Sequence, residues 1–150
     1  MRTRMHYFVP AFLFAALALT SCSKSSTSTT AQNDNTAAQP VSVSHIEIGR
    51  AVDADKRVTD QTRDFKPNET IYASVLTNGN APNTEIKVRW TFQDGQVVDE
   101  SSQSIAPQGA AATEFHISKP DGWPAGTYKV EVFVNGNPAG SEQFEVKRTS

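Results

Sequence analysis

The sequence predicts an all-β fold, a sandwich of about seven or eight short strands behind an N-terminal segment of a different character. Three observations predict it. From Pro40 onward apolar residues alternate with polar ones at the two-residue period of a half-buried strand. Favoured turn dipeptides, Asn78-Gly79, Asp94-Gly95 and Asn135-Gly136, punctuate those runs. No window of about ten residues carries a helical period, and strands spaced roughly ten residues apart read as a sandwich.

Val41, Val43, Ile46 and Ile48 mark the first strand, with a slip of phase at Ser44-His45. Ile71, Ala73 and Val75 alternate with Tyr72, Ser74 and Leu76, and the apolar character of both sets predicts a central strand. Ile86, Val88, Trp90 and Phe92 alternate with Lys87, Arg89 and Thr91, the clearest half-buried strand of the chain. Val97 and Val98 predict a short strand after the Asp94-Gly95 turn. Thr113, Phe115 and Ile117 alternate with Glu114 and His116. Tyr128, Val130, Val132 and Val134 alternate with Lys129, Glu131 and Phe133, and a last strand runs from Ser141 to Val146.

The N-terminus has its own logic. Arg2 and Arg4 precede an apolar run from Tyr7 to Leu19, and the tetrapeptide Leu19-Thr20-Ser21-Cys22 ends on the only cysteine of the chain. A basic start, an apolar stretch and small residues before a cut define a signal peptide. The run of about 13 residues falls short of the ~20 that span a bilayer. Leu19, Thr20, Ser21 and Cys22 together resemble the lipobox of bacterial lipoproteins. That resemblance implies cleavage before Cys22 and a diacylglycerol on its thiol. Ser23 in place of aspartate implies the outer membrane. With Cys22 so used, the chain has no disulfide, and its fold rests on its core. The expected organisation is a signal peptide over 1–21, the lipidated cysteine and a flexible tether over 22–40, and the sandwich over 41–148.

The tether, SKSSTSTTAQNDNTAAQ, holds no large apolar residue and two charges, Lys24 and Asp34. Such a segment buries too little to offset its ordering entropy. As a flexible coil it spans about 20–25 Å. Charge excludes one class of function. Arg2 and Arg4 leave with the first 21 residues, so the 14 basic residues become 12 against 16 acidic ones, a net of −4. Nucleic-acid binders carry a basic face, so no nucleic-acid partner is expected.

Pro124-Ala125-Gly126-Thr127-Tyr128-Lys129-Val130-Glu131-Val132 is similar to the entry into a late strand of immunoglobulin-like and fibronectin type III-like domains. The resemblance covers about 41–148. It implies an immunoglobulin-like β-sandwich with Trp90 as the core tryptophan and Tyr128 as a tyrosine corner, its hydroxyl bonded to backbone between Ser118 and Trp123. The cysteine pair of antibody domains is absent.

Candidate sites are few. His45 and His116 are the histidines left after cleavage, and His116 lies on the polar phase of its strand. Two histidines on distant strands make a poor zinc set, and no nucleophile-elbow pattern is present. Asp53, Asp55 and Asp60 share a loop with Lys56 and Arg57, which reads as a mixed-charge solvated loop rather than a calcium site. Asn68-Glu69-Thr70 reads as a turn. Trp123, in a proline-framed polar loop, either plugs the end of the core or forms a contact. Tyr72 with the face Lys87, Arg89 and Thr91 forms the other candidate surface. The expectation is a non-enzymatic interaction module without cofactor or metal, held to the membrane by its N-terminal lipid. An envelope protein or cell-wall component is its expected partner. An accessory protease inhibitor or chaperone, or a small hydrolase, are the alternatives.

Overall fold

The computed structural model describes residues 38–148. The stretches expected to be a signal peptide, the lipidated Cys22 and the tether up to residue 37 lie outside the described residues. Eight strands run through the described part: β1 (Gln39–Gly49), β2 (Asp64–Phe65), β3 (Ile71–Asn80), β4 (Thr84–Phe92), β5 (Gln96–Ile105), β6 (Ala111–Ile117), β7 (Gly126–Val134) and β8 (Asn137–Val146). They form a three-stranded sheet in the order β1-β3-β6 and a five-stranded sheet in the order β2-β8-β7-β4-β5. All pairings are antiparallel except β2 with β8.

The alternation of the sequence sets the two inner faces. Ile46, Ile48, Ile71, Ala73, Val75, Phe115 and Ile117 project from the three-stranded sheet. They meet Ile86, Val88, Trp90, Tyr128, Val130, Val132, Phe144 and Val146 from the other. Full burial of one such side chain contributes about 1.5–3 kcal/mol, so this shared layer is the main source of stability. β3 is the middle strand of its sheet, as its two apolar phases predict. The slip at Ser44-His45 is a register shift between Val43 and His45 in the β1–β3 ladder. It lets Val43 and Ile46 both turn inward although they stand three positions apart, on opposite phases of a regular strand.

Four expectations change. Asn78-Gly79 makes no turn, since β3 continues to Asn80. Gly79, at φ 148°, is there because a Cβ would stand 2.7 Å from the Pro40 carbonyl of β1. The strand at Val97-Val98 is ten residues long, and none of them is buried. β8 begins at Asn137, ahead of Ser141. β1 begins at Gln39, inside the stretch assigned to the tether. Polar edge strands carry no inward apolar phase, so alternation does not reveal their length. The other turns hold. Asn135-Gly136 closes β7 onto β8 with both residues at positive φ, 49° and 80°, as a two-residue type I′ hairpin requires.

Antiparallel pairing sorts the connections to two poles. The start of β1 lies at the pole of the β3–β4, β5–β6 and β7–β8 connections. The opposite pole holds the 50–70 connection, the β4–β5 turn, the Trp123 loop and the end of β8.

Candidate interaction surfaces

Leu19, Thr20, Ser21 and Cys22 lie outside the described residues. Among the others, Trp123 takes the plug position. It is 9% exposed and belongs to the core cluster. Its ring meets Tyr128 edge-on at 6.1 Å, and Tyr128 stacks on Phe144 at 5.4 Å. The Trp123 backbone N–H donates to the Pro67 carbonyl at 2.8 Å, which ties this loop to the turn before β3. A contact role for an exposed Trp123 indole is thereby corrected: the apolar ring gains more from closing the open end of the sandwich than from facing water. The indole N–H groups of Trp90 and Trp123 are both buried without a partner.

Tyr128 makes the corner. Its hydroxyl donates to the Pro124 carbonyl at 2.9 Å. The acceptor lies just past the expected Ser118–Trp123 stretch, because the chain re-enters the sheet directly after Pro124. Burial pushes the Tyr128 phenol up from its ordinary value.

Tyr72 does not share a surface with Lys87 and Arg89. Tyr72 belongs to β3, and the two cations to β4 in the other sheet, so they face outward on opposite sides. Period two fixes which side of its own sheet a residue takes, but not which sheet. Lys87 and Arg89 both bind Glu100 of β5, at 3.2 and 2.7 Å, and the Arg89 guanidinium lies 5.1 Å from the Phe133 ring centre. The Arg89 and Lys87 hydrogen bonds hold the Glu100 carboxyl below the usual range. Thr91 is buried, and its hydroxyl approaches the Lys129 carbonyl. This side is a paired, solvated ladder rather than a free cationic patch.

On the opposite side Tyr72 is half-buried beside its register partner His116, ring centres 5.4 Å apart. His116 is exposed, as its phase predicts, and its Nδ1 lies 2.6 Å from Glu114. Ser74 stands across from Glu114 on the same side, but its hydroxyl is fully buried and has no hydrogen-bond partner. The Ser74 hydroxyl is therefore closed off from solvent beside the His116–Glu114 pair. His45 is exposed on β1, with β3 between it and β6. Among the described residues no three His, Cys, Asp or Glu side chains gather as a metal set.

The aspartate loop is more ordered than its composition predicts. Asp53 Oδ1 accepts the Asp55 and Arg57 N–H groups, both at 2.9 Å, and bridges pair Val52 with Val58 and Gly49 with Gln61. Arg57 then reaches Glu47 of β1, with Nη2–Oε1 at 2.5 Å and Nε–Oε2 at 3.1 Å, while the Val58 N–H adds a third bond. The Arg57 hydrogen bond overcomes the cost of burial and holds the Glu47 carboxyl below the ordinary range. Glu47 went unremarked in the sequence. Its only signal is a carboxylate between Ile46 and Ile48, where a half-exposed strand needs nothing special. Glu69 plays a similar structural part, accepting the Lys66 N–H at 2.8 Å and Arg50 Nε at 3.0 Å to build the turn before β3.

The fold defined by these sheets is that of an immunoglobulin-like β-sandwich. The chain is similar in structure to an immunoglobulin-like protein from Pseudomonas aeruginosa, at 16% identity and a TM-score of 0.52, over 74% of this chain and 99% of that one. It is also similar to the C-terminal domain of Wzt, at 10% identity and a TM-score of 0.50, over 73% of this chain and 74% of that one. No protein-family model matches the sequence, and no curated protein matches it.

Proposed function

We propose that this chain is a lipid-anchored binding domain of a bacterial cell envelope, non-enzymatic, and held at the outer membrane facing the periplasm. The observation that carries the proposal is Leu19-Thr20-Ser21-Cys22 directly behind a basic start and an apolar run. A cysteine thiolate is a strong nucleophile for taking on a lipid. Each buried methylene contributes about 0.8 kcal/mol, so two or three acyl chains anchor stably where one does not. An envelope protein or cell-wall component is the partner class, and the Tyr72 side is the surface nominated for it, since Lys87 and Arg89 are already paired.

Mass spectrometry of membrane-extracted protein tests the anchor. The expected mature N-terminus is Cys22 bearing a diacylglyceryl thioether, and a free thiol in a soluble protein overturns it. Crosslinking in intact envelopes tests the binding role. Tyr72→Ala is expected to reduce partner capture at unchanged protein level, and undiminished capture removes the Tyr72 side from the proposal.

A further inference from the structure

β5 is the outermost strand of the five-stranded sheet and pairs on one side only, with β4. Its residues are exposed or partly exposed on both faces, so it overhangs the smaller sheet. The other described edges are short or engaged along part of their length. β2 has two residues. The end of β1 exchanges backbone bonds with Asp60 and Thr62, and the Glu114 carbonyl of β6 takes Gln103 Nε2 at 2.6 Å. An unpaired edge of this length is a template for another strand.

We propose that β5 docks antiparallel against β5 of a second copy of this chain, about a two-fold axis at Ser101, so that two five-stranded sheets become one. Three features of the strand select that occupant and that register. A two-fold pair of antiparallel strands satisfies its hydrogen bonds only when the axis passes through a residue, because alternate residues point their N–H and C=O groups outward. Two such registers pair the strand over nearly its full length, centred on Glu100 or on Ser101. An axis at Glu100 sets that carboxylate against its own copy, and like charges directly opposite are destabilising. An axis at Ser101 opposes Glu100 to Ser102, Asp99 to Gln103 and Val98 to Ser104, with no like-charged pair.

The third feature is Asp99. It pairs with Trp90 in the ladder and so lies on the inner phase of the sheet. An inward charge guards an edge strand against arbitrary pairing. Opposite its own copy, Asp99 meets the Gln103 amide. That amide carries two N–H donors, and one of them is used at Glu114. The guard against other strands is thus satisfied by this one. The irregularity that leaves Val98 extra between Val97 and Asp99 ends the regular ladder there. Beyond it, exposed Val97 of one copy lies toward Ile105 of the other.

Site-directed crosslinking tests the axis. In full-length protein in detergent, Cys22→Ser leaves an introduced thiol as the only one. Residues directly opposite have Cα atoms about 4.5–5.5 Å apart, within the span of a disulfide. Ser101→Cys is expected to form a disulfide dimer on mild oxidation, while Glu100→Cys, out of register with its own copy, is expected to form little. Sedimentation provides the second measurement. Ser101→Asp places two carboxylates on the axis and is expected to weaken dimerisation about tenfold or more, with the melting temperature of the dissociated protein unchanged. A protein with the Ser101→Asp dissociation constant equal to that of the parent overturns the proposal. So does a parent monomeric at all accessible concentrations, or crosslinking that favours Glu100→Cys.

Discussion

Single residues carry unequal weight in this domain, and burial decides which. Trp90 is fully buried between the sheets, whereas His116 on the polar phase is exposed. Trp90→Ala is expected to cost about 3–5 kcal/mol, and His116→Ala to stay within about 0.5 kcal/mol, both read from urea midpoints. Equal losses would contradict the strand phases. Tyr128→Phe removes the bond to Pro124 while leaving the ring stacked on Phe144. A loss of about 0.5–1.5 kcal/mol is expected, the net value of one hydrogen bond. Glu47 supplies a pH dependence. Its folded pKa is depressed by Arg57 and the Val58 N–H. The stability it contributes is therefore fully present above the unfolded glutamate value of about 4.3. It is lost as pH falls through the lower folded value. Arg57→Ala is expected to flatten the stability profile across that acid range, and an unchanged profile would show that another group governs acid unfolding.

At the scale of elements, the chain spends its irregular segments on closing the sandwich. The 50–63 segment folds back on β1 through the Glu47–Arg57 pair and its backbone bridges. That explains why Ile46, Glu47 and Ile48 are all buried although they alternate in phase. Hydrogen exchange is expected to show slow amides at Val58 and Thr59, and Arg57→Ala to speed both while leaving Val88 and Val130 slow. Uniform acceleration would mean that this segment is part of the global unit instead. The tether makes the opposite prediction. A chain starting at Gln39 is expected to melt at the same temperature as one starting at Ser23, because the residues removed hold no core-forming side chain. A drop of several degrees would place that segment against the domain.

Among the described residues one core joins both sheets and both poles, since Ile86 and Val132 toward the β7–β8 turn belong to the same cluster of buried side chains as Trp90 and Trp123. Tryptophan fluorescence and far-ultraviolet circular dichroism are expected to report coincident urea transitions, as a single cooperative unit requires. An earlier fluorescence transition would show that the Trp123 pole opens before the sheets.

By itself the sequence determined which residues face inward, because strand periodicity is local: Ile86, Val88 and Trp90 declare their side without reference to any other strand. It also determined the turns at Asp94-Gly95 and Asn135-Gly136, where backbone conformation depends on the residues in the turn. Tertiary structure alone decided what lay across space. It set Tyr72 and Arg89 on opposite sides, turned Asn78-Gly79 from a turn into a close approach of β1, drew Trp123 into the core and gave Glu47 its arginine. Each of these depends on a partner distant in the sequence. Sheet order and loop closure fix that partner, and local alternation carries no record of it.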